Sequence, residues 1–163
     1  MDSEKQLIKV NKEIERKFLL KNDSWREGAE GITCRQGYLS TVKERTIRVR
    51  TIDEKGFLTI KGVSVGASRA EYEYEIPGKD AYEILTNLCE KPLIEKKRYK
   101  ISYKGLIWEI DEFFGDNKGL IMAEVELTDE KQSLELPSWV GEEVTGKPEY
   151  FNSNLIKYPY SKW

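Results

Sequence analysis

The sequence predicts a mainly β protein with some α: an antiparallel sheet of about eight strands closed into a barrel, with a few short flanking helices. Three observations carry that prediction. Apolar and polar residues alternate with period two along most of the chain, as strands with two unlike faces require. Few stretches have helical spacing, and they are short. The polar faces carry stripes of charge, each largely of one sign, acidic on some strands and basic on others. A closed barrel removes exposed sheet edges and lets opposite stripes face each other across a lumen.

The elements follow in order. Asn11 to Leu20 alternates Glu13, Glu15 and Lys17 against Ile14, Arg16 and Phe18, and Gly31 to Thr41 reads as a second strand carrying Tyr38. Arg45 to Ile52 sets Thr46, Arg48 and Arg50 opposite Ile47 and Val49. Asp53 to Gly56 is a four-residue turn ending in glycine, and Phe57 to Gly62 completes the hairpin with Thr59 and Lys61 on one face. Val63 to Ser68 reads as a flexible loop, followed by Arg69 to Ile76 with Glu71, Glu73 and Glu75 on one face. Pro77-Gly78 stops that strand; Asp80 is placed as a helix N-cap, and Tyr82, Leu85, Leu88 and Cys89 have helical spacing up to Pro92. Leu93 to Tyr103 carries Lys96, Arg98 and Lys100 on one face, and Leu106 to Phe114 carries Glu109 and Asp111. Leu120 to Thr128 alternates Met122, Glu124 and Glu126 against Ile121, Ala123, Val125 and Leu127. The remainder predicts a helical turn over Asp129 to Leu136, irregular chain from Pro137 to Gly146 and a short helix over Tyr150 to Tyr158.

The 163 residues, without a repeat or a Gly/Ser/Pro-rich linker, predict one domain over 1–163. Lys plus Arg is 27 and Asp plus Glu is 29, a balance that argues against a nucleic-acid binder, which shows a basic surplus. There is no histidine, which excludes Ser-His-Asp and Cys-His sites, HExxH zinc sites and imidazole acid–base chemistry. Cys34 and Cys89 form no CxxC and no disulfide framework, and are read as reduced structural thiols. The charged start, Met1 to Lys12, lacks the apolar stretch of a signal peptide, and no run approaches the ~20 apolar residues of a membrane helix. A cytoplasmic protein without membrane partners is expected.

The stripes need explaining. Like charges at i and i+2 lie ~7 Å apart along a strand and repel unless something neutralises them. The opposite faces, with Tyr72, Tyr74, Ile76, Trp108, Ile110, Ile121 and Val125, are too apolar to line water. The charged faces therefore point inward, where burying so much unpaired charge is costly unless a wet lumen is filled by a polyanion and metal ions. Paired carboxylates are the hard oxygen ligands that Mg²⁺ or Mn²⁺ takes, and Arg and Lys rows bind phosphate oxygens. Together they can clamp a phosphoryl chain for in-line displacement. Neither a GxxxxGK[ST] nor a GxGxxG loop is present.

Glu13 to Phe18 (EIERKF) resembles the ExExK signature of the CYTH family, the triphosphate tunnel metalloenzymes. RQGYL (35–39), IRVR (47–50), LTIKG (58–62), SRAEYEYEI (68–76), IEKKRY (94–99), WEIDEF (108–113), AEVEL (123–127) and EVTGKPEYFNSNL (143–155) continue the resemblance along nearly the whole chain. It implies an eight-stranded antiparallel tunnel with inward charges and metal-dependent chemistry on triphosphates. By that analogy Glu13, Glu15, Glu124 and Glu126 hold the metal, while Lys17, Arg48, Arg50, Lys61, Lys96 and Arg98 grip phosphates. Lys17 contacts the phosphate chain or the attacking water, and Tyr38 orients or deprotonates that water. Glu71, Glu73, Glu109 and Asp111 are either ligands of a second metal or carboxylates that hold the basic rows.

The compact length and the RQGYL and C-terminal segments most resemble short bacterial-type inorganic triphosphatases, which implies hydrolysis of tripolyphosphate to pyrophosphate and phosphate. The alternatives are nucleotide chemistry, as an adenylate cyclase or a nucleoside or thiamine triphosphatase, and a non-catalytic binder of polyphosphate. A barrel with charged outer faces and no site is the blandest reading. Outer apolar faces left uncovered would favour a homodimer.

Overall fold

A computed structural model of the protein describes residues 11–163. Of the start that the sequence reads as free of a signal peptide, residues 1–10 lie outside the described residues. Nine strands form one antiparallel sheet: β1 (Lys12–Leu20), β2 (Gly31–Ser40), β3 (Thr46–Ile52), β4 (Lys55–Lys61), β5 (Ser68–Ile76), β6 (Ile94–Tyr103), β7 (Leu106–Phe113), β8 (Ile121–Glu126) and β9 (Val140–Glu143). Their order is β5-β4-β3-β2-β6-β7-β8-β1-β9, and β5 also pairs with β1, so strands β1 to β8 close into a barrel.

Closure depends on how β1 divides one edge. Its first half pairs with β5 (Lys12 opposite Ala70, Ile14 opposite Ser68) and its second half with β9 (Phe18 opposite Glu143, Leu20 opposite Val140). The other edge runs against β8, with Glu15 opposite Glu126 and Lys17 opposite Glu124. No strand therefore leaves a long row of unpaired backbone groups along β1.

The apolar surfaces of the barrel are covered by three devices, two outside and one inside. Helix α1 (Gly78–Asn87) lays Ala81 and Leu85 over Val49 and Leu58. This is why residue 56 is glycine: a Cβ there would sit 2.5 Å from the Ala81 Cβ. Trp25 and the segment carrying Leu134, Trp139 and Val140 cover Phe18, Trp108, Ile110 and Val125. The third device closes one end of the barrel from inside. Leu155 of α2 (Asn152–Leu155) and Ile156 pack with the inward-facing Ile94, Phe113 and Met122. Tyr72 and Tyr74 stay exposed on the outer face of β5.

Several local expectations are corrected. The β3–β4 hairpin turns on Asp53-Glu54 alone, with Ile52 opposite Lys55 and Asp53 at φ 52°, so Gly56 belongs to the strand and serves packing. Asp80 is not the N-cap of α1; Pro77 precedes the helix and Asp80 lies in its first turn, where its charge suits the helix dipole. The helix also ends at Asn87, before Pro92. Asp129 to Leu136 forms a turn, closed by the Gln132 N–H on the Asp129 carbonyl, followed by chain without regular structure, with no helix; Leu134 packs against the core from that chain. The stretch expected to be irregular contains β9, whose backbone completes the edge of β1.

Candidate active site

Period-two alternation on eight strands puts one side chain in two into the barrel; seven of these strands supply charge at those positions, and β2 supplies Tyr38. The lumen opens into a cavity of about 240 Å³. Its wall carries seven carboxylates (Glu13, Glu15, Glu71, Glu73, Glu109, Glu124, Glu126) and seven cations (Lys17, Arg48, Arg50, Lys61, Arg69, Lys96, Arg98). Of the site residues expected from sequence, fourteen line this cavity, Tyr38 among them. Asp111 is the exception and lies beneath it, buried, as the support of Lys96 and Arg98.

Strand order distributes the signs. The acidic β8 stands four strands away from β3 in either direction around the ring, and so faces it across the lumen. The basic β6 faces the largely acidic β5 in the same way.

Most charges are paired. Lys61 Nζ lies 2.8 Å from Glu13 Oε2 and 3.6 Å from Glu71. Arg48 and Arg50 converge on Glu73 Oε2, at 3.2 and 3.4 Å, and the Thr59 hydroxyl donates to the same oxygen at 2.7 Å. Lys96 donates to Asp111 at 2.7 Å, and Arg98 reaches Asp111, Glu109 and Glu124. Lys17 Nζ lies 3.3 Å from Glu124 and donates to the Tyr150 carbonyl at 3.1 Å.

The pairing leaves two complementary deficits. On the acidic side, Glu15 and Glu126 stand opposite each other and neither has an ion-pair partner among the described residues. Burial pushes the Glu15 carboxyl well above the usual range, and the charges of Glu124 and Glu13 push it further. Glu126 is raised by burial and then by Glu13 and Glu109. On the basic side, burial lowers Arg50 to about 10, helped by the charges of Arg48 and Arg98. Burial likewise brings Lys96 down to about 8, although Asp111 opposes the shift. Glu15 and Glu126 lack a cation, while Arg50 and Lys96, though paired with Glu73 and Asp111, carry charges that burial disfavours; a divalent metal and a polyanion together would relieve both.

Among the described residues no three carboxylates are gathered tightly enough to hold a metal by themselves. The donor chemistry nevertheless fits a hard divalent cation, because Glu15 and Glu126 are oxygen donors, and a cation would relieve the repulsion of Glu15 by Glu124 and Glu13 and of Glu126 by Glu13 and Glu109.

Tyr38 is buried and accepts a hydrogen bond from Gln36 Nε2 at 3.1 Å. Burial raises its phenol above the ordinary value despite Arg48, Lys17 and Arg69 nearby, so it is a hydroxyl donor and not a phenolate. Lys17 keeps a raised pKa: burial opposes its charge, but Glu124 and Glu15 more than offset it.

Sequence reasoning missed part of the wall. Arg69 shares the face of Glu71 and Glu73 by the same period-two rule, so the signal was present. Thr145, Phe151, Asn152 and Ser153 also line the cavity but come from turns and a four-residue helix, where no periodicity marks a face.

The CYTH domain model matches residues 11–157. The chain belongs to the CYTH domain family. It is 53% identical over 154 residues to an inorganic triphosphatase of Acetivibrio thermocellus, covering 94% of this chain and 99% of that one. It is 36% identical over 148 residues to the inorganic triphosphatase of Nitrosomonas europaea, covering 88% and 95% respectively. A crystal structure of an inorganic triphosphatase superposes with a TM-score of 0.61 at 33% identity, over 88% of this chain and 93% of that one. In this member of the family the closed barrel turns the charged stripes into the lumen. Among the described residues no helix is long and apolar enough to cross a membrane.

Proposed function

We propose that the protein hydrolyses inorganic tripolyphosphate to pyrophosphate and phosphate inside the barrel, with a divalent metal, Mg²⁺ or Mn²⁺. The observation that carries this reading is the charge balance of the lumen: unpaired Glu15 and Glu126 share it with Arg50 and Lys96, whose charges burial disfavours even beside their carboxylate partners. The named activity of the two relatives supports it.

Glu15 and Glu126, with Glu13 and Glu124, would hold the metal. When bound, the cation neutralises phosphate oxygens and makes the phosphorus more electrophilic. Arg48, Arg50, Lys61, Lys96 and Arg98 bind the phosphate chain, and their existing carboxylate partners keep them aimed into the lumen. Glu73, Glu109 and Asp111 act as those supports, since each is already engaged by arginine. Glu71 serves Lys61 in the same way. Lys17 stays an ammonium and Tyr38 a hydroxyl, so both orient water or phosphate by donating hydrogen bonds; neither is a ground-state base.

The wall favours an inorganic substrate over a nucleotide. Its aromatic members are Tyr38 and Phe151, too few to clamp a base by stacking. The test is phosphate release from tripolyphosphate, ATP, GTP and thiamine triphosphate, with Mg²⁺, Mn²⁺ or chelator, for wild type beside Glu15→Ala. Metal-dependent turnover of tripolyphosphate, lost in the variant, is expected. Consumption of ATP instead would replace this reading with nucleotide chemistry, and tight binding without turnover would make the barrel a polyphosphate receptor.

A further inference from the structure

The cations of the lumen are not equivalent. Lys17 is paired with Glu124, Arg48 and Arg50 with Glu73, Lys61 with Glu13, and Lys96 and Arg98 with Asp111. Arg69 lines the same cavity and makes no ion pair or side-chain hydrogen bond among the described residues. Its Nε is sealed from solvent without a partner, as are those of Arg48 and Arg50, but theirs belong to guanidinium groups that Glu73 engages through Nη2 and that of Arg69 does not. Its register partner across the strands is Glu13, but that carboxylate is taken by Lys61 at 2.8 Å. A buried guanidinium edge without an acceptor is costly, and a fold tolerates it where an arriving anion fills the vacancy.

We propose that Arg69 is a further phosphate-binding residue, held open for the phosphoryl group lying nearest Tyr38 and Lys17. The placement is set by β5 and the loop before it, which brings Ser64 and Gly66 to the same wall, while Thr145 and Ser153 line the cavity with them. The positive charge of Arg69 acts on the Tyr38 hydroxyl together with those of Arg48 and Lys17, which places the four groups in one neighbourhood. A guanidinium there offers two parallel donors to two oxygens of one phosphoryl group. The basic rows of β3 and β6 already hold the rest of the chain, so Arg69 reads its length. A triphosphate reaches both Arg69 and those rows; a pyrophosphate, one group shorter, occupies the rows and leaves Arg69 empty.

This inference rests on the polyphosphate reading of the lumen but concerns binding, so the two fail separately. Equilibrium binding of tripolyphosphate, pyrophosphate and ATP is measured in the presence of chelator for wild type, Arg69→Gln and Arg69→Lys, with thermal melts to verify folding. Arg69→Gln is expected to weaken tripolyphosphate roughly 10- to 100-fold, the worth of a charge-assisted hydrogen bond, and pyrophosphate less than about 3-fold. Arg69→Lys keeps a charge without the fork and falls between. Equal losses for both ligands, or tripolyphosphate affinity within about twofold of wild type, overturn the role. If Arg69→Gln does not fold, the ratio of the two affinities in Arg69→Lys decides: an arginine that only supports the fold leaves that ratio unchanged. A parallel loss of ATP affinity would mean that Arg69 also holds an esterified chain. A shifted ratio in a protein that never releases phosphate would sink the enzymatic reading and leave the assignment of Arg69 standing.

Discussion

Asp111 accepts hydrogen bonds from both Nε and Nη2 of Arg98, at 2.7 and 2.8 Å, and from Lys96 Nζ at 2.7 Å. It is 1% exposed and lies outside the cavity wall. One buried carboxylate thus fixes the direction of two cations that face substrate. Asp111→Asn keeps the shape and removes the charge. Leaving Arg98 and Lys96 short of their counterion should cost ~3–5 kcal/mol of stability and lower kcat/KM for tripolyphosphate on the order of 100-fold. Arg98 and Lys96 hold the Asp111 carboxyl far below the usual range against the opposing effect of burial. Its stabilisation is therefore present above the unfolded value of ~3.9 and is lost as pH falls toward the folded value. Urea titrations of both proteins should show the stability gap narrowing below about pH 4; a gap that stays constant would mean the charge of Asp111 is not what the fold uses.

Glu15 gives the opposite expectation. Its carboxyl is raised by burial and by Glu124 and Glu13, so the folded chain resists its ionisation. A raised acid destabilises the native state fully above its folded pKa; the effect fades as pH falls from there toward the unfolded ~4.3 and is absent below it. Glu15→Gln should therefore melt higher than wild type in chelator at neutral pH, by on the order of 1 kcal/mol or ~2–4 °C. The same variant should lose metal-dependent phosphate release. Added Mg²⁺ should raise the melting temperature of wild type but not of Glu15→Gln. A variant that melts lower than wild type in chelator would show that Glu15 has a structural partner and is not reserved for a cation.

The C-terminal segment holds Lys17 from three sides. Val144 N–H donates to the Lys17 carbonyl at 2.8 Å, Thr145 Oγ1 accepts from the Lys17 N–H at 2.9 Å, and the Tyr150 carbonyl accepts from Lys17 Nζ at 3.1 Å. Leu155 pins that segment into the closed end of the barrel and is fully buried. Leu155→Ala should cost ~2–5 kcal/mol and lower kcat more than it raises KM, because Lys17 is misplaced while the basic rows remain. Thermal melts and initial rates at a temperature where the variant is still folded would separate the two effects. A change in KM alone would place the segment on substrate entry and not on Lys17.

The barrel was legible because its strands obey one rule without interruption: Glu13, Glu15 and Lys17, or Lys96, Arg98 and Lys100, fall on one face by period two alone. That rule also places Arg69 with Glu71 and Glu73, as the one basic residue at the head of an acidic stripe. What the sequence did not show is what closes the structure. β9 is four residues long and follows chain without regular structure, and its pairing with β1 is a long-range event without a local signature. Thr145 and Asn152 reach the cavity from irregular chain for the same reason. Gly56 looked like a turn glycine because the sequence does not reveal the helix that packs on it. The division between Glu15, Glu126 and Arg69, unpaired among the described residues, and the paired remainder of the lumen's charges is likewise a property of side-chain reach, invisible in residue types.

Lys96 supplies the pH dependence. Burial brings its ammonium down to about 8 although Asp111 opposes the shift, against ~10.4 in an unfolded chain. Below about pH 8 it is charged in both states, and folding bears the full cost of burying that charge. Between there and ~10.4 the folded chain releases the proton first, so this group makes the native state more stable as pH rises. Anion binding runs the other way. A polyphosphate oxygen needs the ammonium, so its contribution to affinity falls as pH rises through about 8, approaching one proton taken up per ligand bound. The measurement is the affinity for tripolyphosphate in chelator from pH 6.5 to 9.5 for wild type and Lys96→Arg, at constant ionic strength. Tripolyphosphate titrates identically in both series, so the difference between them isolates Lys96: wild type should lose affinity relative to Lys96→Arg above about pH 8. Parallel curves would mean that Lys96 stays charged throughout this range and that Asp111 and its neighbours hold its proton more firmly than burial releases it.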